Sequence, residues 1–165
     1  MRGMKARFLA ALGVCAVLQA PSAFGAGSNT LSLSTSVIGT CKVTSPPGVL
    51  DFGTIDPSGG SNATASTAFA MKCTKGTIST AASDDGGLNF SGTKRMRHSV
   101  TATAFLPYAI AYSGAIGFTG QGFGVAALAQ TVTVSGTVTA AQFQNALVTL
   151  AGQVYSDTVT ITVNP

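Results

Sequence analysis

Leu31, Leu33 and Val37 stand on one parity with Thr35 between them, while Thr30, Ser32, Ser34 and Ser36 fill the other. Side chains two residues apart share a face of a β-strand, so the run 29–37 predicts a strand with one apolar face. Two later runs have the same period: Val132, Val134, Gly136 and Val138, and then Tyr155, Val159, Ile161 and Val163 alternating with Thr158, Thr160 and Thr162. One-faced strands must bury that face against a second layer, which commits the chain to packed antiparallel sheet. Whether 29–37 enters its own sheet or a neighbour's is the functional question.

What precedes this run reads as a leader. Arg2, Lys5 and Arg7 make a basic start, residues 8–18 an apolar stretch too short to span a bilayer, and Ala23-Phe24-Gly25 a small-x-small cleavage site. A signal peptide is expected over 1–25. Val14 is too large for the small position before a lipidated cysteine, so Cys15 is expected to leave with the leader. Lys42, Lys72, Lys75, Lys94, Arg95 and Arg97 then face five aspartates, a net charge of +1. That balance, with no basic stripe, argues against a nucleic-acid partner.

Cys41 and Cys73 remain, an even pair in an exported chain, and are expected to form a disulfide. Neither belongs to a CxxC, and His98 is the sole histidine, so a metal centre is not indicated. The whole chain is 45% apolar and Gly-rich, with only 8% charged residues and no glutamate. Such a composition suits strands and turns.

Along the body, Pro46-Pro47-Gly48 breaks the backbone, and Val49-Leu50-Asp51-Phe52-Gly53 predicts a short strand. Phe69, Met71 and Cys73 share a parity expected to point inward. Asp84-Asp85-Gly86-Gly87 carries a hairpin signal. Lys94-Arg95-Met96-Arg97-His98 predicts a solvated loop or an edge strand. Residues 99–112 predict one or two strands bent near Pro107. The Gly/Phe-rich run 114–124 fits neither phosphate-binding glycine motif and predicts a hairpin or a loop with glycine-enabled turns. Thr139 and Gln142 have capping-box spacing, which predicts about one helical turn in a crossover. Residues 155–163 predict a single strand.

Catalytic chemistry has little to work with. There is no Gly-x-Ser-x-Gly, no glutamate and one imidazole, so neither a nucleophile with its base nor a paired-carboxylate site is evident. Asp84, Asp85 and Asp157 are too few for a calcium site. The chain is read as a non-enzyme without cofactor, metal or small-molecule substrate.

Residues 31–37 running into Cys41-x-Val43, Leu50-Asp51-Phe52-Gly53, the second cysteine at 73, the Lys94-Arg95-Met96-Arg97 cluster, Leu106-Pro107-Tyr108, and Gly152-x-x-Tyr155-Ser156-Asp157-Thr158-Val159-Thr160-Ile161-Thr162-Val163 together resemble the spore coat U domain family. That family includes the pilin subunits of archaic chaperone-usher pili. One stretch departs from it: after Leu106-Pro107-Tyr108 such proteins continue with a Leu-Tyr-x-Asp turn and a Trp-Gly, whereas here Ala109-Ile110-Ala111-Tyr112 leads into the Gly/Phe-rich run.

The resemblance implies an all-β, immunoglobulin-like antiparallel sandwich that is incomplete, its last strand supplied by a neighbouring subunit, with one disulfide. It implies three regions: the leader 1–25, a donor-strand extension 26–38, and a sandwich 39–165. Leu31, Leu33, Thr35 and Val37 would be inserted into the neighbour by β-augmentation. Tyr155, Val159, Ile161 and Val163 would edge the acceptor groove. The implied partners are neighbouring pilin subunits, a periplasmic chaperone and an outer-membrane usher, on a route through the periplasm to a surface fimbrium. Gly39 is expected to be the hinge between extension and body, and no alternating run follows 163 to close the sandwich. The alternative is a self-contained coat or matrix protein whose first strand folds into its own sheet.

Overall fold

The computed structural model describes residues 29–165. The chain divides between Thr35 and Ser36 into two compact units. Of the first, residues 29–35 are described: they form no strand and are exposed throughout. The expected leader 1–25 lies outside the described residues.

The second unit is an antiparallel sandwich. Its strands are β1 (Cys41–Ser45), β2 (Ala63–Cys73), β3 (Ala81–Asp84), β4 (Arg95–His98), β5 (Phe105–Pro107), β6 (Ala109–Ser113), β7 (Gln130–Val138), β8 (Tyr155–Ser156) and β9 (Ile161–Asn164), with one short helix, α1 (Ala140–Phe143). One layer is a four-stranded sheet in the order β1-β2-β7-β6. The other is built from two ladders, β5-β4-β8 and β3-β9. These two ladders continue one another. β3 pairs with 161–164 and β4 with 155–156, while between them the Asp85 and Leu88 N–H groups donate to the Thr160 and Thr158 carbonyls at 3.2 and 2.9 Å.

Alternation decides which residues are buried. Phe69 and Met71 on β2 and Val132 and Val134 on β7 form one core cluster, which packs against Ala82, Ile161 and Val163 of the facing layer. A second cluster at the other end joins Leu106, Tyr108, Val138 and Phe143 to Met96, Tyr155 and Val159. Cys41 lies opposite Cys73 in the β1-β2 ladder and is bonded to it. The Thr74 N–H donates to the Thr40 carbonyl at 2.9 Å, so the cysteines occupy the adjacent, close-approaching pair of the ladder.

Four expectations need correction. Val49-Leu50-Asp51-Phe52-Gly53 joins no ladder and runs as an extended segment, because Leu50 and Phe52 seat over Gly136 of β7, where a Cβ would come within 2.6 Å of Leu50 and 2.7 Å of Phe52. Side-chain packing, not strand pairing, holds it. Asp84-Asp85-Gly86-Gly87 makes no hairpin, since β3 and β4 both pair with the C-terminal segment. Gly86 and Gly87 stand at φ 87° and 92°, but Asp85 and Leu88 stay bonded to Thr160 and Thr158, and the turn comes at 88–89, where the Phe90 N–H donates to the Gly87 carbonyl at 3.2 Å.

The cluster 94–98 is neither loop nor edge, for β4 lies at the centre of its ladder. Two of its charges reach partners through long stems: the Arg95 guanidinium stacks 3.9 Å over the Phe105 ring and Lys94 pairs with Asp84 at 3.0 Å. His98 is buried, its Nδ1 accepting the Val100 and Thr101 N–H groups at 3.2 and 3.0 Å. Residues 155–163, expected as one strand, form β8 and β9 joined by four extended residues. The excursion at 85–94 interrupts the regular ladder there.

Other expectations hold. The chain bends after Pro107 as β5 passes to β6 in the opposite layer, and residues 114–129 are loop. At α1 the Gln142 Oε1 accepts the Thr139 N–H at 2.8 Å, and the helix lasts one turn. The Cys41–Cys73 bond spans 32 residues of sequence. On chain-entropy grounds, replacing both cysteines with alanine should lower the unfolding free energy by about 3 to 4 kcal/mol, measured by urea titration.

Candidate functional site: an apolar cleft beside an unpaired strand edge

Residues 155–164 are paired on one side only. The carbonyls of Val154, Thr158, Thr160 and Asn164 accept from Ser99, Leu88, Asp85 and Thr80, so the even-numbered backbone groups point toward β3 and β4. The N–H and C=O groups of Tyr155, Asp157, Val159, Ile161 and Val163 therefore face the opposite edge. Among the described residues no strand pairs with that edge.

Beside it lies a cleft of about 830 Å³. One rim is the extended segment bearing Leu50, Phe52 and Ile55, the other is residues 153–159 with Ile161, and the floor includes Val134 of β7, Ile110 of β6, Met96 of β4 and Phe143 of α1. The odd-numbered residues from 155 to 163 are half-buried, whereas Ser156, Thr158, Thr160 and Thr162 are exposed. A sandwich closed at this place would bury the first set fully, as β7 buries Val132 and Val138.

Two aspartates line the cleft, Asp51, which is exposed, and Asp157, which is half-buried. Asp157 shares the inward parity, and its Oδ2 accepts the Tyr108 hydroxyl at 2.7 Å while Oδ1 accepts the Asn89 N–H at 3.2 Å and its Nδ2 at 2.9 Å. Burial, followed by the bond to Asp157, pushes the Tyr108 hydroxyl far above its ordinary pKa, so it stays a donor. A parallel pair lies nearby: the Tyr112 hydroxyl donates to Asp84 at 2.7 Å, and burial together with that bond raises Tyr112 as well. For Asp84, burial acts to raise the pKa, but the Tyr112 hydroxyl, Lys94 and the Gly86 N–H outweigh it and hold the carboxyl below its ordinary 3.8.

Of the residues singled out from sequence, Tyr155, Val159 and Ile161 line the cleft, and Val163 packs on the adjoining core cluster. Leu31, Leu33 and Val37 are 82%, 84% and 80% exposed, and Thr35 is exposed with them. Three large apolar side chains in seven residues are thus left in solvent. The sequence reading missed the rim made by Leu50 and Phe52 and weighed Asp157 only as a cation ligand. Its place on the inward parity between Tyr155 and Val159 was the available signal.

The Spore Coat Protein U domain model matches residues 27–162, ending within β9. The chain belongs to that family. Membership places this spore coat U protein among coat-type, pilin-like surface proteins. The comparison with curated proteins gives no match. Among the described residues no helix is long and apolar enough to cross a membrane.

Two outcomes follow for this spore coat U domain. Gly136→Val should overpack the floor beneath Leu50 and Phe52, lowering stability by about 1 to 3 kcal/mol and speeding limited proteolysis within 47–57. A carboxyl held below its ordinary pKa stabilises the fold above that pKa and loses this contribution as pH falls through the folded value. The unfolding free energy should accordingly fall below about pH 3.8, and fall less for Asp84→Asn, in urea titrations at pH 5 and pH 2.

Proposed function

We propose that this chain is a structural pilin subunit of a surface fibre, assembled head to tail by donor-strand exchange and serving adhesion or biofilm formation. One observation carries the reading: an unpaired strand edge bordering an apolar cleft, in a chain that also exposes the alternating residues Leu31, Leu33 and Val37. Each half of that description supplies what the other lacks. A strand added at the edge satisfies the outward N–H and C=O groups of 155–163, and alternate side chains fill the cleft.

Burying two leucines and a valine is worth roughly 5 to 9 kcal/mol before ordering costs. That is enough to hold a subunit in place once seated. Because donor and acceptor are different surfaces, the association does not close on itself and yields a filament. Before assembly the cleft needs temporary cover, the task of a periplasmic chaperone, and exchange takes place at an outer-membrane usher on the way to the cell surface.

The test is co-expression with the cognate chaperone and usher, with fibres examined by electron microscopy. Deleting residues 26–36 should leave a chaperone-bound subunit that forms no fibres. Undiminished fibres from the deletion would overturn the proposal, as would a monodisperse, protease-resistant monomer made without any chaperone, the behaviour of a self-contained coat or matrix protein.

A further inference from the structure

We propose that residues 29–37 of a second copy lie antiparallel along residues 155–163, in the one register that seats Thr35 opposite Asp157. The inference rests on the donor-strand reading and adds to it a register and the residue that sets it.

The two segments have matching patterns. The inward parity of 155–163 reads Tyr155, Asp157, Val159, Ile161, Val163, with a single carboxylate second from one end. The inward parity of the extension reads Asn29, Leu31, Leu33, Thr35, Val37, with Thr35 second from the opposite end. Laid antiparallel with Thr35 on Asp157, Val37 meets Tyr155, Leu33 meets Val159, Leu31 meets Ile161 and Asn29 meets Val163. All nine positions are covered.

Sliding by two residues either way puts Leu33 or Val37 against the carboxylate and removes its remaining acceptor direction from water with no donor in exchange. A parallel alignment that keeps Thr35 on Asp157 carries Leu31 to Gln153 and leaves Ile161 and Val163 without partners. Asp157 can also accept the bond. Tyr108 and both donors of Asn89 occupy three of its roughly four acceptor directions, leaving one for a hydroxyl. The cleft thus reads the extension by a polar mark within an apolar row.

The register can be read with cysteines on the outer face, where they disturb no cleft contact. Since the even-numbered backbone groups point toward β3 and β4, the residues Ser156, Thr158, Thr160 and Thr162 form close, non-hydrogen-bonded pairs with an added strand, a spacing that accepts a disulfide. In fibres of the full chain made with chaperone and usher, Ser34→Cys with Thr158→Cys should join subunits into a covalent ladder on non-reducing gels. Ser32→Cys or Ser36→Cys with Thr158→Cys should give no ladder.

Exchanging the mark, by Leu33→Thr with Thr35→Leu, should move the ladder to the Ser32→Cys and Thr158→Cys pair. A ladder at a shifted pair in the otherwise unaltered chain overturns the register while leaving donor-strand assembly intact. A ladder that stays at Ser34→Cys after the exchange overturns Asp157 as its cause. Fibres in which none of the three pairs joins overturn the donor-strand reading itself.

Discussion

The one-sided pairing of residues 155–164 is the constraint on which the rest of this structure depends. Their even-numbered backbone groups are satisfied by β3, β4 and the turn residues between them, and this fixes which way every odd-numbered group must point. Both core clusters lean on the same segment, one through Ile161 and Val163 and the other through Tyr155 and Val159. A further strand along the free edge would therefore bear on the whole layer at once.

The scarcity of charge makes the few ionic groups informative. Asp84 and Asp157 each accept a tyrosine hydroxyl at the seam between the layers, and neither is left as a bare charge facing hydrocarbon. The excursion at 85–94 is organised around them, with the Asn89 and Lys94 side chains supplying further donors. These contacts tie the irregular part of one strand line to Tyr108, where β5 passes to β6, and to Tyr112 on β6 of the opposite layer.

Much of this was legible in the residues, and the exceptions have a common cause. The alternation of β7, the Cys41–Cys73 pairing and the single turn of α1 depend on neighbours in sequence or on simple parity, so local pattern suffices. Leu50 and Phe52 alternate equally well in a strand and in an unpaired extended segment, and only Gly136, more than eighty positions away, decides between them. The glycines after Asp84 announce a turn but not what the chain pairs with afterwards. Charge at 94–98 concealed burial because Arg95 and Lys94 carry their ionic ends on long apolar stems.

The absence of a side chain at Gly136 has a mechanical consequence. The two rims of the cleft are held by unlike forces: one by a ladder of backbone hydrogen bonds, which resists sliding, the other by two apolar side chains resting in a shallow seat. Contacts of the second kind are non-directional and part gradually, while a ladder gives way bond by bond. The mouth of the cleft is consequently compliant on a single side, a soft lip against a stiff one, and any incoming or departing segment meets least resistance by pushing the lip outward.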